Sequence, residues 1–217
     1  MKVNNNSSIN FGSINHPINA FRLKTNKGNI IFNEIKLDQK IDHKNLKEIA
    51  SFFLDNFAAQ STHPFWKKCR KKAPEYDYNV YREYRRDNLI NPIKDLYKNP
   101  DATILIGRKK NNKIAAAIVV DPLNISQNIK DKNTLYLDLL AVDKNYRKNN
   151  VAKNLIEKIF STTKGRYRDC LLIAYNESVP FYQKIGFDYL QNNKLINELA
   201  KHRIDYPEYA SFLIKNL

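Results

Sequence analysis

Residues 137–156, "LDLLAVDKNYRKNNVAKNLI", decide the fold class of this chain. An apolar run ends at a polar, basic loop, and from about Asn150 apolar residues recur at helical spacing, which predicts a strand, a loop and a helix. The first turn of a helix has unpaired N–H groups and the positive end of the dipole, and both attract phosphate. Further positive charge comes from Arg147, Lys148 and Lys153. From these residues alone, the loop is either a phosphate site or a solvated turn.

The segments around this stretch alternate between strand and helix patterns. Strand patterns occupy residues 29–37, 102–110, 113–121, 134–143 and 170–175, and short strands are expected at 187–191 and 208–215. Helix patterns occupy residues 43–58, 78–99, 149–160 and 178–185, with N-caps at Asp42 and Ser178, Gly186 after the last helix, and a loop at 61–77. Asn111-Asn112 between two strand patterns indicates a β-hairpin. This order predicts a mixed α/β sheet, antiparallel in its middle and with a parallel crossover across 134–175.

Length and composition indicate one domain of 217 residues without internal repeats. Residues 1–28 are rich in Asn and Ser and are expected to form an N-terminal arm, and residues 29–217 form the domain. No apolar run approaches the ~18 residues of a membrane span, and the N-terminus lacks the apolar stretch of a signal peptide. A cytoplasmic protein without membrane association is therefore expected. Cys69 and Cys170 lack metal-ligand spacing, so no metal is expected.

The charge balance is strongly basic. Lys and Arg number 37 against 22 Asp and Glu, which gives a formal net charge of +15. Such a balance fits an anionic partner, for example nucleic acid, an acidic substrate or a phosphorylated cofactor. The chain is also crowded with Lys, Asn and Ile, and an AT-rich genome produces that composition without any such partner. An anionic partner is therefore one of two explanations of the charge.

Two motifs resemble the GNAT superfamily of N-acetyltransferases. The stretch "LAVDKNYRKNNVAKNLI" (140–156) is similar to that family's pyrophosphate loop, Gln/Arg-x-x-Gly-x-Gly/Ala, which falls here on Arg147, Asn150 and Ala152. Asn150 replaces the usual glycine, and Lys148 stands where a glycine is also frequent; Asn is the non-glycine residue that best tolerates positive φ. The stretch "LIAYNESVPFYQKIGF" (172–187) resembles the family's closing motif, with matches at Asn176, Phe181, Tyr182, Lys184, Gly186 and Phe187.

The resemblance covers roughly residues 29–217 and implies a fold, a co-substrate and an activity. The implied fold is a mixed, mostly antiparallel sheet with flanking helices, in which the parallel strands 134–143 and 170–175 splay apart. The implied activity moves an acetyl group from acetyl-CoA to a primary amine of a small molecule, peptide or protein, by direct attack in a ternary complex. The implied acetyl-CoA contacts are Leu140, Ala141, Val142, Arg147, Lys148, Asn149, Asn150, Val151, Ala152, Lys153 and Asn176.

Acetyl transfer to an amine needs an acid for the departing thiolate and, in some enzymes, a base for the ammonium. The resemblance gives the acid role to Tyr182, since a phenol with a pKa of about 10 is protonated at neutral pH; the alternative is a core tyrosine. Alternation along the strand predicts one face shared by Tyr136, Asp138, Leu140 and Val142. Tyr136 and Asp138 are therefore candidates for the base, and an ion pair or hydrogen bond within the sheet is the alternative for Asp138.

The acceptor stays open. The resemblance implies an acceptor site formed by residues 58–84 and 188–210, the first of which mixes aromatic, basic and acidic side chains. Two other functions are alternatives to an amine acetyltransferase. One is an acetyltransferase for aminoacyl-tRNA or another nucleic-acid-associated substrate, and the other is a CoA-binding module with little catalysis. The sequence does not predict an oligomeric state.

Overall fold

The computed structural model describes residues 20–34, 43–57, 90, 93, 99, 101–126, 129–203 and 210–217. The strands in these ranges are β1 (Phe21–Thr25), β2 (Gly28–Glu34), β3 (Thr103–Arg108), β4 (Ile114–Ser126), β5 (Ile129–Val142), β6 (Asp169–Tyr175), β7 (Asp188–Tyr189) and β8 (Ala210–Asn216). The α-helices are α1 (His43–Phe57), α2 (Val151–Thr163), α3 (Val179–Lys184) and α4 (Asn193–Arg203).

The predicted elements in these ranges are found with shifts of one to three residues at most ends, but β4 extends to Ser126 and β5 begins at Ile129, each five residues beyond the predicted end. The stretch at 137–156 forms the end of β5, a 3₁₀ turn at Lys144–Tyr146 and the start of α2. The hairpin predicted around Asn111-Asn112 is formed by β3 and β4, with Asn112 at a φ of 63° in the turn. Gly186 follows α3 with a φ of 92°, the left-handed conformation expected of a C′ glycine.

Some predictions concern residues outside the described ranges. These are the N-cap at Asp42, the loop at 61–77 with Cys69, most of the helix at 78–99, the acceptor segment at 58–84 and the beginning of the predicted arm. Within the helix pattern, Ile90 and Ile93 are described, and both are helical and buried.

The described residues correct the boundary of the predicted arm. The sequence predicts an arm over residues 1–28, but β1 pairs antiparallel with β2. Phe21 stacks on Phe32 with ring centroids 4.8 Å apart. Along β1, the exposed Arg22 and Lys24 alternate with residues that face inward, such as Phe21. Because this short edge strand lies in a polar stretch of sequence, it has no recognisable strand pattern. The sheet therefore begins before residue 29.

The strands form one mixed sheet in the order β1-β2-β3-β4-β5-β6-β8-β7. Neighbouring strands are antiparallel except for β5 and β6, which are parallel. Helix α2 connects this parallel pair, since parallel strands need a crossover of a dozen or more residues. The predicted mixed sheet with a parallel crossover is confirmed.

A β-bulge in β5 coincides with the end of its pairing to β6. Leu137 lies opposite Val120 and Leu139 lies opposite Val119, so Asp138 is inserted between two consecutive register pairs. A bulge bends its strand and re-aims the side chains that follow. Pairing with β6 stops at Leu137, and the bulge therefore marks the point at which β5 turns away from β6.

The bulge also overturns the predicted common face of β5. Tyr136 lies in the buried cluster that contains Leu199 of α4. Leu140 and Val142 instead pack against the cluster under α2 on the other face of the sheet. The inserted Asp138 reverses the alternation, so Tyr136 does not share a face with Leu140 and Val142.

Both faces of the sheet are covered. One face packs against α2 and α3, through residues that include Leu155, Ile159 and Val179. The other face packs against α1, through Ile49 and Phe53, and against α4. Among the helices in the described ranges, none is both long enough and apolar enough to cross a membrane.

Candidate functional site

The strands β5 and β6 separate at one end of the sheet. Their parallel pairing runs from Thr134 opposite Asp169 to Leu137 opposite Leu172. Beyond this point β5 continues to Val142 against β4, and β6 continues along β8. The two strand ends therefore border a gap in which main-chain groups can meet a ligand.

The main-chain groups of β5 alternate between β4 and this gap. The N–H of Asp143 donates to the carbonyl of Ala115 at 2.8 Å. Because bonded and non-bonded pairs alternate in an antiparallel ladder, Ala141 also points to β4, whereas Leu140 and Val142 point to the gap. The structure thus separates the three predicted strand contacts, and leaves Leu140 and Val142 with their N–H and C=O groups towards the gap.

The loop between β5 and α2 adopts a glycine-like backbone without glycine. Lys148 has a φ of 63° and Asn150 a φ of 57°, both in the left-handed region. This conformation costs about 1–3 kcal/mol for a residue with a side chain, and Asn tolerates it best. Inside the turn, the Nδ2 of Asn149 donates to the carbonyls of Arg147 at 3.0 Å and Tyr146 at 3.4 Å.

Helix α2 begins directly after this loop. Its first intrahelical bond runs from the N–H of Asn154 to the carbonyl of Asn150, so the N–H groups of residues 151–153 have no acceptor inside the helix. In the part of the chain that the structure describes, the Asn150 side chain makes no capping bond and the first turn has no acidic residue. The other predicted contacts are a buried Val151, a half-buried Ala152 and an exposed Lys153. The helix start offers donors and a positive dipole to an anion.

Arg147 connects the loop to the end of β5 and to α1 through hydrogen bonds. Its Nε donates to the carbonyl of Val142 at 3.0 Å, and its Nη2 lies 3.2 Å from the carbonyl and 3.3 Å from the Oδ1 of Asn56 at the end of α1. The guanidinium thus bonds protein acceptors, and its predicted contact with acetyl-CoA stays a prediction. Asn56 is a member of this site that sequence reasoning missed, because no local pattern connects residues 91 positions apart.

Asn176 lies on the other side of the gap, immediately after β6. Its Oδ1 accepts a hydrogen bond from the Oγ of Ser211 in β8 at 2.8 Å. This bond fixes the amide at the end of β6 and leaves the residue exposed. The predicted contact is therefore at the edge of the gap, opposite the end of β5.

Tyr182 is a buried residue of α3. Its ring makes edge contacts with Phe181 at 5.0 Å and with Phe187 at 5.7 Å between centroids. Burial raises the pKa of its phenol above the usual range, and the nearby Cys170 thiol adds to this rise. Tyr182 therefore keeps its proton at every pH near neutrality.

The two candidate bases differ in position. Tyr136 is 3% exposed and lies in the part of β5 that still pairs with β6, opposite Leu171. Asp138 is half-buried and lies at the bulge, where the gap begins. The structure brings Asp138 to the same strand end as Leu140 and Val142, and leaves Tyr136 among buried side chains.

An ion pair supports the base of the loop. The Oδ2 of Asp143 accepts from the Nζ of Lys109 at 2.7 Å, and its Oδ1 accepts from the N–H of Asn145 at 2.8 Å. Burial raises the pKa of Asp143, but the hydrogen bonds and the charge of Lys109 outweigh that effect, so the pKa is lowered. The Lys109 ammonium also lies 5.1 Å from the ring centre of Tyr146.

Lys109→Met is expected to lower the free energy of unfolding by about 1–2 kcal/mol at pH 7, because it leaves the Asp143 carboxylate without its cation. A lowered folded pKa means that the stabilisation is present above the unfolded pKa and is lost as pH falls through the folded one. Urea unfolding at pH 7 and pH 3 checks this, with the neighbouring Lys110→Met as control. An equal loss at both pH values would contradict the ion pair.

Known acetyltransferases share this architecture. The profile of the acetyltransferase (GNAT) domain matches residues 94–202, which are 109 of the 217 residues. A GNAT-family acetyltransferase from Staphylococcus aureus Mu50 is 18% identical, with a TM-score of 0.53 over 86% of this chain and 99% of that chain. The PaiA N-acetyltransferase of Thermoplasma acidophilum, solved in complex with coenzyme A, is 14% identical, with a TM-score of 0.54 over 86% and 99%. The GNAT domain of S. lividans PAT is 11% identical, with a TM-score of 0.56 over 91% and 97%.

At these identities the solved structures show that the fold is shared. No curated protein sequence matches this chain. The family profile covers β3 to β7, and so includes the gap, the loop before α2, and Tyr182. The chain therefore belongs to the GNAT family of acetyltransferases.

Proposed function

We propose that this protein is an N-acetyltransferase that moves the acetyl group of acetyl-CoA to a primary amine. The observation that carries the proposal is the backbone of Lys148 and Asn150, both held at positive φ ahead of a helix start without an acidic residue. Residues with side chains at positive φ cluster at functional sites, so two of them directly before a helix start favour a ligand-binding loop. The fold that the chain shares with the coenzyme A complex of PaiA supports the same ligand.

The residues present fit two parts of coenzyme A, its pyrophosphate and its pantetheine arm. At the start of α2, the N–H groups of residues 151–153 and the charges of Lys148 and Lys153 suit a pyrophosphate. Along β5, Leu140 and Val142 direct main-chain groups into the gap, where they can pair with the amides of a pantetheine arm. Arg147 holds these two parts together, since it bonds the end of β5 and belongs to the loop.

The chemistry of the transfer requires a donor for the thioester oxygen and a proton for the leaving thiolate. We assign the first role to the N–H of Val142, which points to the gap. The amine nitrogen attacks the carbonyl carbon, and Tyr182 gives its proton to the sulfur as the C–S bond breaks. The nitrogen loses a proton as the amide forms, and this proton restores the Tyr182 phenol through water. Asn176 holds the pantetheine from the β6 side.

The remaining proton is that of the acceptor's ammonium. We assign its removal to Asp138, directly or through a water, because this carboxylate is the acidic side chain nearest to the opening of the gap along β5. Tyr136 takes a packing role instead, since it is buried on the α4 face. The acceptor enters from the side of residues 188–210, where Tyr189 in β7 is 48% exposed.

A melting curve with acetyl-CoA tests the proposal. A ligand at 100 times its dissociation constant stabilises a protein by about 2.7 kcal/mol, which corresponds here to a rise in Tm on the order of 5–10 °C. We expect this rise with 1 mM acetyl-CoA and a much smaller one with 1 mM inorganic pyrophosphate, which lacks the pantetheine. No shift with acetyl-CoA would sink the proposal.

A CoA-binding module with little catalysis would pass the melting test. The two are separated by thiol release from acetyl-CoA in the presence of mixed primary amines, namely spermidine and a lysine-containing peptide. An enzyme releases coenzyme A faster with amines than without them, and a binding module does not.

A further inference from the structure

A basic cleft lies beside the loop, at the same end of the sheet. It has a volume of about 560 Å³ and is bordered by the β1–β2 turn, the β3–β4 turn and the segment after β5. Its lining includes Arg22, Lys27, Lys109 and Lys110, together with Ile31 and Tyr146. This volume is in the range of sites that hold small ligands or single units of larger ones.

The cleft carries a net positive charge. Four of its nine lining residues are basic and none is acidic. Asp143 neutralises Lys109 through an ion pair at 2.7 Å, and Glu48 forms an ion pair with Arg108 at 2.8 Å. Among the residues that the structure describes, the other three cations of the cleft, Arg22, Lys27 and Lys110, form no ion pair.

The side chains between these cations suit a nucleotide unit. Ile31 is 46% exposed and offers an apolar surface on which a base can lie. Asn29 and Asn111 bring amide donors and acceptors to the same cleft. Cations for phosphate, an apolar face and amide groups are the components with which proteins hold a nucleotide.

Positive charge continues beyond the cleft on two sides. Lys24 is exposed two residues along β1 from Arg22, on the same face of the strand. Lys144 is exposed in the turn that precedes Tyr146. Charge that extends past the cleft favours an extended polyanion over a single small phosphate compound.

One row of register partners crosses the sheet from β1, beside the cleft, to β5, beside the gap. Phe21, Phe32, Gly107, Ala116 and Val142 are successive register partners across five strands. Four strand spacings of ~4.8 Å separate the ends of this row by roughly 19 Å. At ~3.4 Å per stacked nucleotide, a strand of about six nucleotides spans that distance.

We propose that this cleft binds the phosphate backbone of a single-stranded nucleic acid, with one nucleotide in the cleft and its neighbours on the flanking lysines. The site is separate from the acetyl-CoA site, and its occupancy does not depend on acetyl transfer. It gives the excess of positive charge a definite location on the molecule.

Fluorescence anisotropy with a labelled 12-nucleotide RNA tests the proposal in the full-length protein. The double variant Arg22→Glu with Lys110→Glu is expected to weaken binding at least tenfold at 0.1 M salt. It is also expected to reduce the slope of log affinity against log salt by about 1.4, since each phosphate contact of a single strand contributes about 0.7. The matched control is Lys132→Glu with Lys164→Glu, which makes the same charge change at exposed lysines elsewhere.

Several outcomes overturn the proposal. Equal weakening by the two double variants means that net charge alone attracts the RNA. Displacement of the RNA by AMP or inorganic phosphate at micromolar concentration means that the ligand is small. Binding to phosphatidylglycerol vesicles with the same dependence on Arg22 and Lys110 means that the surface is for membranes.

Two controls keep the result interpretable. The neutral pair Arg22→Gln with Lys110→Gln removes the same two phosphate contacts and is expected to change the salt slope by about 1.4 as well, so it replaces the charge-reversed pair if that pair does not fold. The Tm rise with acetyl-CoA is expected to be the same in these variants as in the wild type. A lost RNA affinity with an intact acetyl-CoA shift, or the reverse, shows which of the two proposals fails.

Discussion

Tyr182→Phe is expected to lower kcat for amine acetylation by about 10²–10³-fold, which is within the range for the loss of a general acid. The phenylalanine keeps the ring contacts with Phe181 and Phe187 and removes only the hydroxyl. The Tm rise with acetyl-CoA should therefore stay within a degree or two of the wild-type value. Initial rates of thiol release with saturating acetyl-CoA and spermidine measure the effect.

The pH dependence gives a second measurement on the same residue. An acid must be protonated to act, and burial raises the pKa of Tyr182 above the usual value near 10. The acid is consequently still protonated where an exposed tyrosine would ionise, and kcat should not fall with an apparent pKa near 10. Rates between pH 7 and pH 10.5 check this.

A matched control separates the hydroxyl from the general loss of a tyrosine. Tyr189 lies on β7 and is 48% exposed, so Tyr189→Phe removes a hydroxyl from a surface position. We expect less than a threefold change in kcat from it. If Tyr182→Phe behaves in the same way, Tyr182 is a core residue and water protonates the thiolate.

The parts of this protein that the sequence predicts well are encoded by neighbouring residues. The loop and α2 follow from the charge and the helical spacing of residues 147–156, and Gly186 marks the end of α3 because the left-handed conformation is local. The parallel pairing of β5 and β6 also follows, since a helix between two strands returns the chain in the same direction.

The parts that the sequence does not predict depend on residues far apart in the chain. The bulge at Asp138 exists only relative to the register with β4, and without it the period of two puts Tyr136 on the wrong face. Arg147 in the loop bonds Asn56 of α1. The basic cleft is formed by three separate turns, and β1, which carries Arg22, has no apolar run long enough to be recognised.

The loop can be tested with two variants that have the same charge and different backbone preferences. Lys148→Val combined with Asn150→Val puts two β-branched residues at φ values of 63° and 57°, where such side chains are strongly disfavoured. At about 1 kcal/mol for each position beyond the cost to Lys and Asn, the bound conformation loses about 2 kcal/mol. The dissociation constant for acetyl-CoA should then rise about thirtyfold.

The matched variant replaces both residues with glycine, which adopts this conformation without strain. Lys148→Gly with Asn150→Gly also removes the same lysine charge as the valine pair, so charge does not distinguish the two variants. Isothermal titration with acetyl-CoA should place the glycine pair within about threefold of the wild type, and the valine pair far weaker. Equal affinities for the two pairs would mean that the left-handed residues are not part of the cradle, and that the charge of Lys148 or other donors hold the pyrophosphate.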